Sequence, residues 1–150
     1  MKRIGLLVFV GFIGLGIGLT SCDKPVKGCM DAMAKNFNAN AEEDDGSCIF
    51  TADLVFWYNF PTSNFLEVFG HTELHYYLDE KIIGEGGIKE PFIHAPDCFA
   101  DSTISTSVDL ANVKSKSFSY RVLNQNDDEV WSGNVTLQAD SCTQVRLILN

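Results

Sequence analysis

The chain from Ile49 onward alternates between apolar and polar side chains with a period of two. This alternation is typical of a strand with one face buried in the core and the other exposed to solvent. Turn-forming residues separate the alternating runs at 79–80, 84–87 and 124–128. The apolar members of the runs are Leu54, Phe56 and Tyr58; Leu74, Tyr76 and Leu78; Ile104, Val108 and Leu110; Phe118, Tyr120 and Val122; Trp131, Val135 and Leu137; and Val145, Leu147 and Leu149.

No long segment in this part has the period of a helix. Residues 50–150 are therefore predicted to form an all-β domain, an antiparallel two-sheet β-sandwich of six to eight strands. Aromatic residues are concentrated near its start, and most of them are expected to fill the core. Trp57 and Tyr77 alternate with apolar neighbours, and we expect them to face outward as ligand-contacting aromatics.

The first 22 residues have the layout of an export signal. Lys2 and Arg3 precede an apolar run from Ile4 to Leu19, which is shorter than the roughly 20 residues that span a bilayer. Leu19-Thr20-Ser21-Cys22 resembles the lipobox of bacterial lipoproteins. The resemblance implies that residues 1–21 are removed and that Cys22 carries the lipid. Residues 22–27 would then be a tether, and the protein would be membrane-anchored in the cell envelope, with the outer membrane the favoured location, facing the periplasm or the surface.

Five cysteines are present, and assigning Cys22 to lipid leaves an even number. Disulfides persist in the oxidising compartments that exported proteins reach. Four cysteines allow three pairings. We favour Cys29 with Cys48 and Cys98 with Cys142, because each pair then brackets a segment of distinct composition.

Residues 28–48 are acidic and rich in asparagine. Their apolar content is too small for a core, so their order depends on a disulfide and on a metal if one binds. Calcium takes six to eight oxygen ligands, and alternate positions such as Asn36, Asn38 and Asn40 can supply them. The alternative is that these side chains only form turns. The candidate calcium ligands are Asp31, Asn36, Asn38, Asp44 and Asp45.

The same segment carries a specific pattern: Gly28-Cys29, Asp31, Asn36-Phe37-Asn38 and the closing run 44–48, Asp-Asp-Gly-Ser-Cys. It resembles a cysteine-bracketed acidic motif of surface and secreted proteins from gliding and polysaccharide-degrading Gram-negative bacteria, and is similar to thrombospondin type 3 calcium repeats. The resemblance implies an extracellular setting, a Cys29–Cys48 bridge and calcium binding, but no reaction. More loosely, residues 50–150 resemble small all-β modules of lipoproteins from the same bacteria.

The net charge and the absence of catalytic motifs limit the classes of function that the sequence supports. From Cys22 onward the chain has 9 basic and 20 acidic residues, a net charge of −11, which disfavours nucleic acid as a partner. The sequence has no Gly-x-Ser-x-Gly elbow and no His-Glu-x-x-His. We therefore expect a lipid-anchored binding or structural module rather than an enzyme, with a glycan or an envelope protein as partner. The alternative is an enzyme or accessory that acts on polysaccharide, which a carboxylate pair beside exposed aromatics in a groove would favour.

Overall fold

The computed structural model describes residues 24–88 and 91–149. The predicted signal and the lipidation site at Cys22 lie outside these residues. Within them are nine strands and one helix: β1 (Lys27–Gly28), β2 (Glu43–Asp44), β3 (Phe50–Trp57), α1 (Phe60–Val68), β4 (Glu73–Leu78), β5 (Lys81–Gly87), β6 (Ile104–Ala111), β7 (Ser115–Asn124), β8 (Glu129–Gln138) and β9 (Cys142–Arg146).

Two larger sheets make up the body of the protein. One has the strand order β6-β3-β9 and the other has the order β5-β4-β7-β8, while β1 and β2 form a short parallel pair. Side chains from both larger sheets, among them Leu54, Leu74, Leu110 and Val122, form one buried cluster. The arrangement confirms the predicted all-β, two-sheet fold, and the seven strands of the larger sheets fall within the predicted range.

One strand pairing differs from the antiparallel prediction, because β9 runs parallel to β3, with Asp53 opposite Cys142. The direction follows from the connection between β8 and β9. In this connection Asp140 N donates to Thr51 O, and Asp53 N donates to Ser141 O, both at 2.9 Å. A strand that enters the sheet beside the start of β3 must run in the same direction as β3.

The predicted turn at 84–87 is wrong, because these residues belong to β5, which pairs with β4. Gly84 instead allows a close approach of the two sheets. A Cβ atom added at Gly84 would lie 2.7 Å from Cγ2 of Ile104, at the start of β6 in the other sheet. The turn at Asp79-Glu80 is confirmed: both residues have positive φ, the conformation of a tight hairpin turn.

Replacing Gly84 with alanine should lower the free energy of unfolding by about 1–3 kcal/mol, because the methyl group overlaps the Ile104 side chain. Gly87→Ala, on the same strand, is the matched control, since its added Cβ would meet only ordinary contacts at 3.5 Å. Urea denaturation of both variants measures the difference. Equal stability of the two variants would contradict the close approach.

The helix α1 was not predicted. It begins after Asn59, with a proline in its first turn, where the fixed φ of proline suits a helix. Leu66 is fully buried in the core, whereas Phe60, Val68 and Phe69 are largely exposed. With nine residues and one fully buried apolar side chain, the helix is too short to show a helical period.

Both predicted disulfides are confirmed: Cys29 is bonded to Cys48, and Cys98 is bonded to Cys142. The first bridge closes the acidic segment on itself, and the segment also packs against the sandwich. Cys29 is 1% exposed and belongs, with Ala34, to the same buried cluster as Phe50 of β3. Cys29 and Ala34 of the acidic segment therefore belong to the core of the β-domain.

Candidate functional site

The acidic side chains of residues 28–48 mainly form local turns. Asp31, Asn38, Asp44 and Asp45 each use Oδ1 to accept a hydrogen bond from the backbone N–H two residues later, at 3.0–3.1 Å. This is the Asx turn, in which the side chain imitates a backbone turn. These four candidate calcium ligands therefore each commit one oxygen to shaping the loop.

Asn36, the fifth candidate ligand, ties the middle of the segment to its C-terminal end. Its Nδ2 donates to Ser47 O at 2.7 Å, and its Oδ1 accepts from Ile49 N at 2.8 Å. Ser47 and Ile49 are the neighbours of Cys48. The side-chain amide of Asn36 and the Cys29–Cys48 bridge therefore both hold the chain at Cys48. The loop thus obtains its order from protein contacts.

In residues 24–88 and 91–149 no group of three or more His, Cys, Asp or Glu side chains is placed to hold a metal ion. Calcium also accepts amide and backbone oxygens. The calcium assignment therefore stays a prediction.

Calcium binding by the segment predicts a higher melting temperature in millimolar calcium than in chelator, because a ligand that binds only the folded state stabilises it. Replacing Asp44 and Asp45 together with asparagine should abolish the rise. Replacing Asp101, an exposed residue outside the segment, should preserve it. Identical melts with calcium and chelator would leave residues 28–48 as a disulfide-held spacer.

An ion pair joins the acidic segment to the sandwich. The Asp31 carboxylate contacts the ammonium group of Lys114, which directly precedes β7. The hydrogen bond from Lys114 and the backbone N–H of Met33 lower the pKa of Asp31 below its ordinary value of 3.8. The carboxylate is therefore favoured in the folded state.

A lowered folded-state pKa stabilises the protein above the unfolded-state value, and this contribution is lost as the pH falls through the folded-state value. Asp31→Asn should therefore reduce the loss of stability on acidification below about pH 4. Lys114→Gln should have a similar effect, since it removes the main cause of the shift. Urea midpoints measured from pH 6 to pH 2 test this. Equal acid sensitivity of the wild type and both variants would contradict the ion pair.

The structure corrects the prediction for Trp57, which is only 8% exposed. It does point away from the core side chains of β3, but this side of the sheet is covered as well. The Arg146 guanidinium lies 5.3 Å from the ring centroid, and the loop residues Phe92 and Ser102 line a small cavity with it. Tyr77 is half-buried, with the Arg121 guanidinium 5.8 Å from its ring. Neither aromatic forms an open platform.

A groove that the sequence did not predict lies between α1, the start of β8 and the residues after β9. Its volume is about 490 Å³. We call it the distal groove. Its lining residues combine aromatic rings, two carboxylates and aliphatic side chains: Phe65, His71, Asn124, Asp128, Glu129, Val130, Trp131, Ile148 and Leu149.

Hydrogen bonds fix the walls of the distal groove. Gln125 Nε2 donates to Gly70 O, and its Oε1 accepts from Thr72 N, both at 3.1 Å. The buried Asn124 closes the β7–β8 turn by accepting from the backbone N–H groups of Asn126 and Asp128. The turn is thus bound to the loop after α1, and the groove between them is preformed.

The aromatic side chains of the groove are also held in place. Trp131 Nε1 donates to Ile148 O at 2.9 Å. Phe65 stacks on Phe69 with ring centroids 4.1 Å apart, and on His71 at 6.5 Å. Nδ1 of His71 is buried and has no hydrogen-bond partner in the described part of the chain. The site therefore contains an unsatisfied polar atom beside fixed rings.

The distal groove and the acidic segment lie at opposite ends of the sandwich. Strand β7 starts directly after Lys114, the partner of Asp31, and ends at Asn124, which lines the groove. Its ten residues span about 30 Å at about 3.3 Å per residue. The groove is therefore remote from the N-terminal segment that the sequence predicts to be tethered.

The residues that the structure describes include no helix with the length and apolar character to cross a membrane. Comparison of the chain with protein-family models, with curated proteins and with solved structures found no match.

Proposed function

We propose that this chain is a lipid-anchored protein of the bacterial cell envelope, and that its sandwich acts as a binding module. The lipid is attached at Cys22, residues 28–48 form the join between the tether and the sandwich, and the outer membrane is the favoured location. Residues 1–21 and Leu19-Thr20-Ser21-Cys22 support the anchor by their resemblance to a lipoprotein signal.

The observation that carries the proposal is the pairing of the cysteines. Two bridges use Cys29, Cys48, Cys98 and Cys142, so Cys22 has no cysteine left in the chain to pair with. Two disulfides indicate folding in an oxidising compartment outside the cytoplasm. An exported chain whose one remaining cysteine directly follows the signal is what lipid attachment requires.

Metabolic labelling tests the anchor. The full chain, expressed in a Gram-negative host with an alkyne fatty acid, should acquire the label and partition into the detergent phase. Cys22→Ser should lose the label, whereas Ser21→Gly, which keeps a small residue before the cysteine, should retain it. An unlabelled wild-type protein, or a labelled Cys22→Ser variant, would contradict lipid attachment at this residue.

The carboxylates of the distal groove favour a second candidate, an enzyme that acts on polysaccharide. Asp128 and Glu129 both line the groove beside Phe65 and Trp131. Glycoside hydrolysis, however, needs two carboxyl groups that flank the sugar bond, about 5–10 Å apart. Asp128 and Glu129 are neighbours in the chain at one wall of the groove, so binding is the first choice. Release of reducing sugar by the wild type, lost in Glu129→Gln, would reverse this order.

A further inference from the structure

We infer that the distal groove binds a neutral glycan. The biological setting of this inference rests on the proposed role as an envelope binding module, whereas the binding itself is argued from the groove. Its volume of about 490 Å³ is within the range of small-ligand sites, about 300–1,000 Å³.

The apolar part of the groove fits the C–H faces of a sugar ring. Phe65 and Trp131 present aromatic surface, and rings of this kind provide a large apolar contact area at defined geometry. Trp131 is held by its bond to Ile148 O, and Phe65 stacks on the more exposed ring of Phe69. A preformed surface of this kind lowers the entropic cost of binding.

The polar part of the groove is complementary to a ligand with many hydrogen-bond donors. The carboxylates of Asp128 and Glu129 are exposed hydrogen-bond acceptors in its wall. The Glu129 carboxylate forms no ion pair or hydrogen bond with another described residue. Sugar hydroxyl groups supply donors of this kind at close spacing.

Charge narrows the ligand class further. The lining contains two carboxylates and no lysine or arginine among the described residues, so an anionic polysaccharide would be repelled. A wholly apolar ligand would displace water from the exposed carboxylates of Asp128 and Glu129 without replacing its hydrogen bonds. Among anionic, apolar and neutral ligands, the combination of aromatic and acceptor groups fits a neutral glycan best, and a cationic peptide is the competing class.

The position of the groove suits this role. The N-terminal segment meets the sandwich at the start of β3 and β7, whereas the groove lies where these strands end, about 30 Å away. Ile148, which lines the groove, is 55% exposed, and Phe69, which stacks on Phe65, is 65% exposed. An anchor at Cys22 would thus leave the groove facing away from the membrane.

The test is calorimetric titration of the full-length protein, purified in a detergent without a sugar headgroup. The probes are cello-, laminari-, manno- and xylotetraose, with an arginine-rich peptide as a competing class. At least one tetrasaccharide should bind. Glu129→Gln should weaken that binding about tenfold, the loss expected for one charge-assisted hydrogen bond. Glu85→Gln, an exposed strand glutamate outside the groove, is the matched control and should change it less than about twofold.

Phe65→Ala should also weaken binding, and near-UV circular dichroism shows whether this variant keeps its fold. Binding of no tetrasaccharide, equal affinity of the wild type and Glu129→Gln, or preferential binding of the peptide would overturn the inference. Labelling at Cys22 is read out separately. A protein that binds glycan without lipid would contradict the anchor alone, and a lipidated protein that binds none would contradict the groove assignment alone.

Discussion

Replacing Cys98 and Cys142 together with alanine is expected to lower the free energy of unfolding by about 4 kcal/mol. The bridge spans 44 residues of sequence and constrains the unfolded chain accordingly. In the folded state it holds the first residue of β9, an edge strand of the three-stranded sheet, to the loop before β6. Urea denaturation under non-reducing conditions measures the change.

The matched comparison is the double replacement of Cys29 and Cys48, whose bridge spans 19 residues. The same loop-entropy relation gives about 3 kcal/mol for this pair. The longer-range bridge should therefore be the more stabilising of the two. If the Cys98/Cys142 variant is as stable as the wild type, β9 is held by its pairing with β3 alone, and the role assigned to the bridge is wrong.

Leu54→Ala should cost about 2–5 kcal/mol, the range measured when a buried leucine is truncated to alanine in a closely packed core. Leu54 is 0% exposed and lies on β3, the central strand of its sheet. Its neighbours in the buried cluster come from both sheets, so the cavity cannot be filled by moving one loop. Chemical denaturation of the variant measures the cost.

Leu123→Ala on β7 is the control, because Leu123 is half-buried and lies outside the buried cluster. We expect this replacement to cost about 1 kcal/mol or less. Similar losses from both replacements would indicate that the two sheets do not share one core.

The sheet pattern was predictable where one face of a strand is buried and the other is open. Strand β4 alternates strictly, with Leu74, Tyr76 and Leu78 buried and the residues between them half-buried. Burial of Tyr76 is deep enough to raise the pKa of its hydroxyl group. In such strands successive side chains point to opposite faces of the sheet, so apolar and polar residues that alternate in sequence lie on opposite faces.

The same reasoning failed on β3, where Leu54, Val55, Phe56 and Trp57 are all buried. Alternation shows which side chains share a face, but it does not show what covers the opposite face. The cover over Trp57 comes from Arg146 and from the loop that holds Phe92, both remote in sequence. Likewise, no local pattern encodes that β9 lies parallel to β3.

The sequence predicted the turn-forming hydrogen bonds of residues 28–48, but it did not predict the distal groove. The turn-forming interpretation of its Asn and Asp side chains matches the hydrogen bonds of Asp31, Asn38, Asp44 and Asp45. The distal groove was missed because three separate segments form it: α1 with its following loop, the β7–β8 turn, and the residues after β9. In the sequence, the only indication of the groove was that Asp128-Glu129 lies close to Trp131. This proximity predicts a site only once the fold places Phe65 and His71 in the same groove.

The intact mass of the protein purified from the membranes of a Gram-negative host tests the central claim most directly. The account predicts a chain that starts at Cys22, carries a diacylglyceryl group and an amide-linked fatty acid, and lacks the hydrogens lost in two disulfides. A protein that retains residues 1–21, or that starts at another residue without lipid, would contradict a lipid-anchored envelope module.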